Sequence, residues 1–226
     1  MELEELIKVF KSNENSQYSL KMKSYMKGHF EFHGIPSPQR KVLLKPFLKA
    51  HKKTNFLEVK KIVLCLWDYP YREGQYAGME LLSLHLKYLK ESDISIIENL
   101  ITSKSWWDTV DWLSSRGAGR YFSEFPEMKL KSIEKWTASG NMWLIRSAII
   151  HQLFYKSDTD HDLLAALIVE QKESKEFFIK KACGWALRQY SKTNPSWVES
   201  FIEEHHNDIS KLAIKEGLKW IEKNRC

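Results

Sequence analysis

The sequence is poor in the features that most readily disclose a function. It has three cysteines in 226 residues, Cys65, Cys183 and Cys226, far apart and with no CxxC pair. An odd, scattered set argues against a disulfide framework or a zinc site and for reduced thiols in a cytosol, so a cytoplasmic location is expected. No apolar run approaches the roughly 18 residues that a membrane span needs. The acidic start Met1-Glu2-Leu3-Glu4-Glu5 does not look like a signal peptide. There is no Walker loop, no Rossmann glycine run and no GxSxG elbow, which removes the common nucleotide-binding and serine-hydrolase sites. Strand signals are missing as well, with no period-2 alternation and no Asn-Gly or Asp-Gly hairpin. Without a low-complexity linker, a single domain over residues 1–226 is expected.

What the sequence does have is helical patterning and a moderate positive charge. It is 43% hydrophobic and 28% charged, long enough to bury a sizeable core. Lys and Arg number 35 against 29 Asp and Glu, a net charge of +6 that modestly favours a polyanionic partner. Leu3, Leu6, Ile7 and Phe10 recur with helical spacing, as do Leu57, Ile62, Val63 and Leu66. Ser37-Pro38 and Asn194-Pro195 read as an N-cap followed by proline at the first helical position, and Ser95 with Glu98 as a capping box.

Beneath the helices lies a repeat. Ala77, Ala148, Ala182 and Ala213 each precede a leucine by five residues, at Leu82, Leu153, Leu187 and Leu218. Ser103-Lys104-Ser105-Trp106-Trp107 aligns with Ser174-Lys175-Glu176-Phe177-Phe178, which puts Asp111 in the slot of Ala182. The slots Ala77, Asp111, Ala148, Ala182 and Ala213 are then spaced 34, 37, 34 and 31 residues apart. All-helical periods of this size predict an all-α, HEAT-like repeat solenoid, a curved superhelical stack of antiparallel helix pairs. Upstream of residue 70 the register fades, as a terminal repeat allows.

One repeat breaks the pattern. It carries a carboxylate, Asp111, where the others carry a methyl group, and Arg116 in place of the leucine. A local rule broken within a consistent array marks a functional position. Trp107 lies four residues before Asp111, and Trp185 three after Ala182. Those offsets share one helical stripe, so the two indoles and the carboxylate can meet on a common surface. A carboxylate beside aromatic faces can stabilise a developing cation. The plainer alternative is that both indoles pack the core. His29 and His33 have the spacing of a helical metal pair, but Phe30 stands where a zincin glutamate would and no third ligand is evident, so no metal is expected. Basic residues recur on the helices, among them Lys27, Arg40, Arg146, Lys181 and Arg188, and several can line a concave face and meet phosphates.

The stretches Lys104-Ser105-Trp106-Trp107-Asp108-Thr109-Val110-Asp111, Trp136 to Arg146, Ser174 to Ala182 with Gly184-Trp185, and Lys192-Thr193-Asn194-Pro195 resemble the AlkD family of DNA glycosylases. Tyr25-Met26-Lys27 and His29-Phe30 fit its N-terminal part. The resemblance implies a C-shaped solenoid that wraps duplex DNA and excises cationic N3- and N7-alkylpurines such as 3-methyladenine and 7-methylguanine. This is bacterial base-excision repair performed through the lesion's sugar and backbone, without flipping the base into a pocket. It implies Asp111 as the catalytic carboxylate and Trp107 and Trp185 on the sugar. Arg146 falls at a phosphate, with Tyr25, Arg188, Lys27 and Arg40 as further DNA contacts. It implies no metal or nucleotide cofactor and a monomer that embraces DNA carrying alkylated purines. The chain departs from the family at Asn13-Glu14-Asn15-Ser16-Gln17-Tyr18-Ser19, a poor helix former without a basic residue, and at Pro36. Those departures keep two alternatives open: an inactive paralogue with weak DNA binding, and a HEAT scaffold for a protein partner.

Overall fold

The computed structural model describes residues 1–225 and is all-α, with no strand among the described residues beyond an isolated bridge between Glu31 and Tyr71. Among them, no helix is long and apolar enough to cross a membrane. The chain divides into two compact units, residues 1–90 and 91–226.

The first unit holds α1 (Leu3–Ser12), α2 (Ser16–Tyr25), α3 (Ser37–His51), α4 (Phe56–Asp68) and α5 (Arg72–Ser83). Leu6 and Phe10 bury one stripe of α1, and Val59, Val63, Leu66 and Trp67 bury one stripe of α4, which packs on α5. Leu57, expected on that stripe, is 64% exposed. The helix expected to begin with Ser37 as cap begins one residue earlier, with Pro36 as N-cap. α2 buries none of its residues, although it starts inside the stretch expected to resist helix formation. The reason is local: the Asn15 side chain accepts from the Tyr18 amide, and the Ser19 hydroxyl donates to the Phe32 carbonyl at 2.6 Å. The segment that receives α2 is pinned by the buried Glu73 carboxylate, which accepts the backbone N–H groups of His33, Gly34 and Ile35 at 3.1, 3.0 and 3.2 Å. Gly34 has φ +84°, and a Cβ there would fall 2.1 Å from the Asn15 carbonyl oxygen, so only glycine fits.

The second unit holds α6 (Ile94–Thr102), α7 (Trp107–Trp112), a π-helical turn (Leu113–Ala118), α8 (Gly119–Glu124), α9 (Lys129–Ala138), α10 (Met142–Ile150), α11 (His161–Glu170), α12 (Phe177–Tyr190), α13 (Pro195–Glu204) and α14 (Lys211–Asn224). α10 packs on α12 and α12 on α14. The alanine slots fall on these helices and on α5: Ala77, Ala148 and Ala182 are 0% exposed and Ala213 is 1%. These four slots thus bury a small residue on helices that pack against a neighbour, α5 on α4, α10 on α12 and α12 on α14, in keeping with an all-α solenoid. Asn194 caps α13 as expected, accepting from the Trp197 amide. The capping box at Ser95 and Glu98 does not form. α6 begins at Ile94, and Glu98 instead reaches across to the Trp136 indole N–H at 2.7 Å and the Lys135 ammonium at 2.6 Å.

Candidate functional site

The site is built around α7. Ser103 ends α6 in an extended conformation, Lys104 turns the chain with φ +49°, and Trp106 caps α7 in an extended conformation. Thr109 and Val110 bury one face of the helix. The Asp111 side chain, next along the helix, is 18% exposed. Immediately after it the helix widens into the π-turn. The Ser114 and Ser115 hydroxyls each donate at 2.6 Å to the carbonyl four residues back, those of Val110 and Asp111. Serines that bond backwards in this way compete with backbone donors and loosen the α-ladder. Ser114 is also tied to Ser147 of α10, oxygen to oxygen at 2.7 Å, which fixes α7 against the helix that carries Arg146.

Arg146 is 4% exposed and grips Asp111 with two parallel bonds, from Nε to Oδ1 at 2.7 Å and from Nη2 to Oδ2 at 2.9 Å. Its Nη1 donates to the Phe178 carbonyl of α12 at 2.6 Å. One guanidinium thus joins α7, α10 and α12. Burial pushes the Asp111 carboxyl above the ordinary carboxylate value, Arg146 pulls against that rise, and Asp108 adds to it. Only the anion satisfies the guanidinium fork, so the paired state is the ionised one. Arg146 was expected at a DNA phosphate; in this structure its guanidinium is committed to the carboxylate.

Aromatic rings surround the pair. The Trp185 ring centroid lies 6.0 Å from the Arg146 guanidinium carbon, and that of Phe178 5.9 Å. Trp106 meets Trp143 edge-on at 5.8 Å and Phe178 at 5.2 Å, which closes a wall behind the arginine. Trp107 starts α7 one turn before Asp111; it and Trp185 are both partly exposed, and neither is a core residue. The structure therefore brings Asp111, Arg146 and Trp185 together, with Trp107 on the same helix as the carboxylate. A cavity of about 190 Å³ in this unit, lined by residues such as Gln152, Thr159, Gln189 and Tyr190, includes none of these side chains.

Arg188 of α12 pairs with Glu216 of α14 at 3.1 Å. In the first unit, Tyr25 ends α2 with 69% exposure, Lys27 follows it in a turn with φ +54°, and Arg40 of α3 stacks on Tyr76 at 4.1 Å. His29 and His33 do not share a helix. The ring nitrogens of His33 engage Glu14 at 2.6 Å and Tyr69 at 2.8 Å. Sequence reasoning missed the mutual pairing of Asp111 and Arg146, and it missed Trp106, Trp143 and Phe178 as the supporting wall. The one available signal was that Arg146 lies two residues before the alanine slot of the next repeat.

Residues 6–221 match the family described as DNA alkylation repair enzyme, and the chain belongs to that family. Among solved structures it is similar to a predicted DNA alkylation repair enzyme from Enterococcus faecalis, 33% identical, with a TM-score of 0.86 over 93% of this chain and 98% of that one. No curated protein matches.

Proposed function

We propose that the protein is a monomeric DNA glycosylase that hydrolyses the N-glycosidic bond of cationic N3- and N7-alkylpurines in duplex DNA, using neither a metal nor a nucleotide cofactor. The observation that carries this reading is the fixed Asp111–Arg146 pair with the partly exposed Trp185 indole beside it and Trp107 one turn earlier on α7. An alkylated purine already bears a positive charge and leaves as a neutral base with the bonding electrons, so no general acid is needed. The charge passes to the sugar, and a water molecule attacks C1′ and releases its proton.

Asp111 supplies a preorganised anion for that cationic sugar. At an effective dielectric of about 20, a unit charge about 4 Å away is attracted by ~4 kcal/mol. The Arg146 charge, roughly 4 Å further back, repels it by ~2 kcal/mol. The net attraction of ~2 kcal/mol corresponds to about 30-fold in rate. The arginine thus halves the field while locking the carboxylate in place and in its ionised form. Indole faces at Trp107 and Trp185 add cation–π stabilisation of about 1–2 kcal/mol each once water is excluded.

The direct test is incubation of duplex DNA carrying 7-methylguanine with the protein and chromatography of the released material. Free 7-methylguanine together with an abasic strand is the expected result. Tight duplex binding with no base released would instead identify a non-catalytic relative.

A further inference from the structure

A Cβ at Gly184 would fall 2.5 Å from the Glu216 Cβ and 2.9 Å from the Ala213 carbonyl oxygen, and one at Gly217 would fall 3.0 Å from the Leu187 Cβ. The two glycines bring α12 and α14 into close contact, and that contact seats the Glu216 carboxylate beneath α12 with 6% exposure. An isolated carboxylate so placed would be costly. Three cations meet it: Lys181 at 2.9 Å, Arg188 at 3.1 Å, and Lys219 on the same oxygen as Lys181. Burial pushes the Glu216 carboxyl up, but Lys219 and Lys181 outweigh burial and hold it down at about 2.

One cation would neutralise Glu216. Three leave a local surplus of two positive charges, and among the described residues they share this one carboxylate. Each remains open to solvent, Lys181 by 35%, Arg188 by 34% and Lys219 by 44%, with donors still to spare. Lys181 and Arg188 lie four residues before and three after Trp185, on the same face of α12. That face adjoins the Asp111–Arg146 pair.

We propose that Lys181, Arg188 and Lys219 form a site for one backbone phosphate of the DNA, adjacent to the nucleotide whose sugar meets Trp185, and that Glu216 is the positioning residue that gathers them. The site rests on the glycosylase reading of Trp185 and Asp111. Glu216 holds the three cations together from below against their mutual repulsion, and the phosphate completes the neutralisation from above. A phosphate held there fixes the register of the strand relative to Asp111.

The test is binding by fluorescence anisotropy to duplexes carrying a stable abasic analogue, each with a single uncharged methylphosphonate in place of one phosphate near that analogue. Binding is read independently of excision. For the wild-type protein, one linkage is expected to weaken binding about tenfold when neutralised, the effect of losing a charge-assisted contact. Lys181→Ala and Arg188→Ala are expected to bind more weakly overall and to lose sensitivity at that linkage. Glu216→Gln adds a net positive charge, yet it too is expected to lose that linkage-specific sensitivity. Sensitivity retained in Arg188→Ala, or an equal response at every linkage in the wild type, overturns the site. Sensitivity retained in Glu216→Gln overturns the positioning role. No duplex binding by the wild type overturns the site and the glycosylase reading together, whereas excision with an unaltered linkage profile overturns the site alone.

Discussion

Arg146 holds both carboxylate oxygens of Asp111, so substituting either residue exposes the charge of the other. Arg146→Ala leaves a buried carboxylate without its counter-ion. A loss of about 3–5 kcal/mol in folding stability is expected, readable by denaturant unfolding. The same change removes the influence that lowers the Asp111 pKa and leaves burial unopposed. On the proposed mechanism activity requires the anion, so it is present above the Asp111 pKa and lost as pH falls through it. In the wild type the acid limb of the excision profile should lie above the ordinary carboxylate value of 3.8, and in Arg146→Ala it should move to higher pH still. An unmoved limb would detach Asp111 from the chemistry. None of this pairing was legible in the sequence. Asp111 stood out because it breaks a repeat, but Arg146, which holds it, lies 35 positions further along the chain, and Phe178, which anchors Arg146, another 32, so only the stacking of α7, α10 and α12 brings them together.

At the scale of elements, legibility followed the range of the interaction. The alanine slots were readable because each repeat must place a small residue where its second helix meets the next. Asn194-Pro195 was readable because a cap is decided within one turn. Ser95 and Glu98 misled because Glu98 finds better partners in Trp136 and Lys135 on another helix. The π-turn after Asp111 had no sequence mark, since a serine in a helix bonds backwards only when packing directs it there. α2 was misjudged on propensity alone: its capping at Asn15 and its attachment through Ser19 outweigh a weak composition. Because that attachment depends on Gly34, Gly34→Ala should loosen α2. Faster amide exchange across Ser16–Tyr25, with α4 and α5 unchanged, is the expected signature. Unaltered protection of α2 would mean that the segment tolerates a Cβ where none fits in this structure.

At the scale of the whole molecule, two buried groups give the acid stability profile a defined shape. His151 is 0% exposed, and burial lowers its pKa to about 4 from 6.5. It is neutral in the folded protein and takes up a proton more readily when unfolded. Its contribution is therefore complete above about 6.5 and is lost as pH falls towards about 4. Glu216, held down at about 2 against an ordinary 4.5, contributes fully above 4.5 and loses its contribution as pH falls through about 2. Stability measured against pH should fall in two successive windows, and His151→Asn should flatten the upper one while leaving the lower. Binding to duplex DNA has its own whole-molecule signature. On the glycosylase reading, contacts to at least about three phosphates should weaken affinity at least ~40-fold between about 50 and 200 mM salt, whereas a protein-binding scaffold would show no DNA titration. The most direct measurement compares wild type and Asp111→Asn for release of 7-methylguanine and for affinity to undamaged duplex. Removing the carboxylate turns a net attraction of ~2 kcal/mol on the cationic sugar into a repulsion of similar size from Arg146, so a loss of about 10²–10³-fold in kcat is expected, with affinity nearly unchanged. Equal excision by the two proteins would contradict the assignment of Asp111 as the group that stabilises the sugar cation.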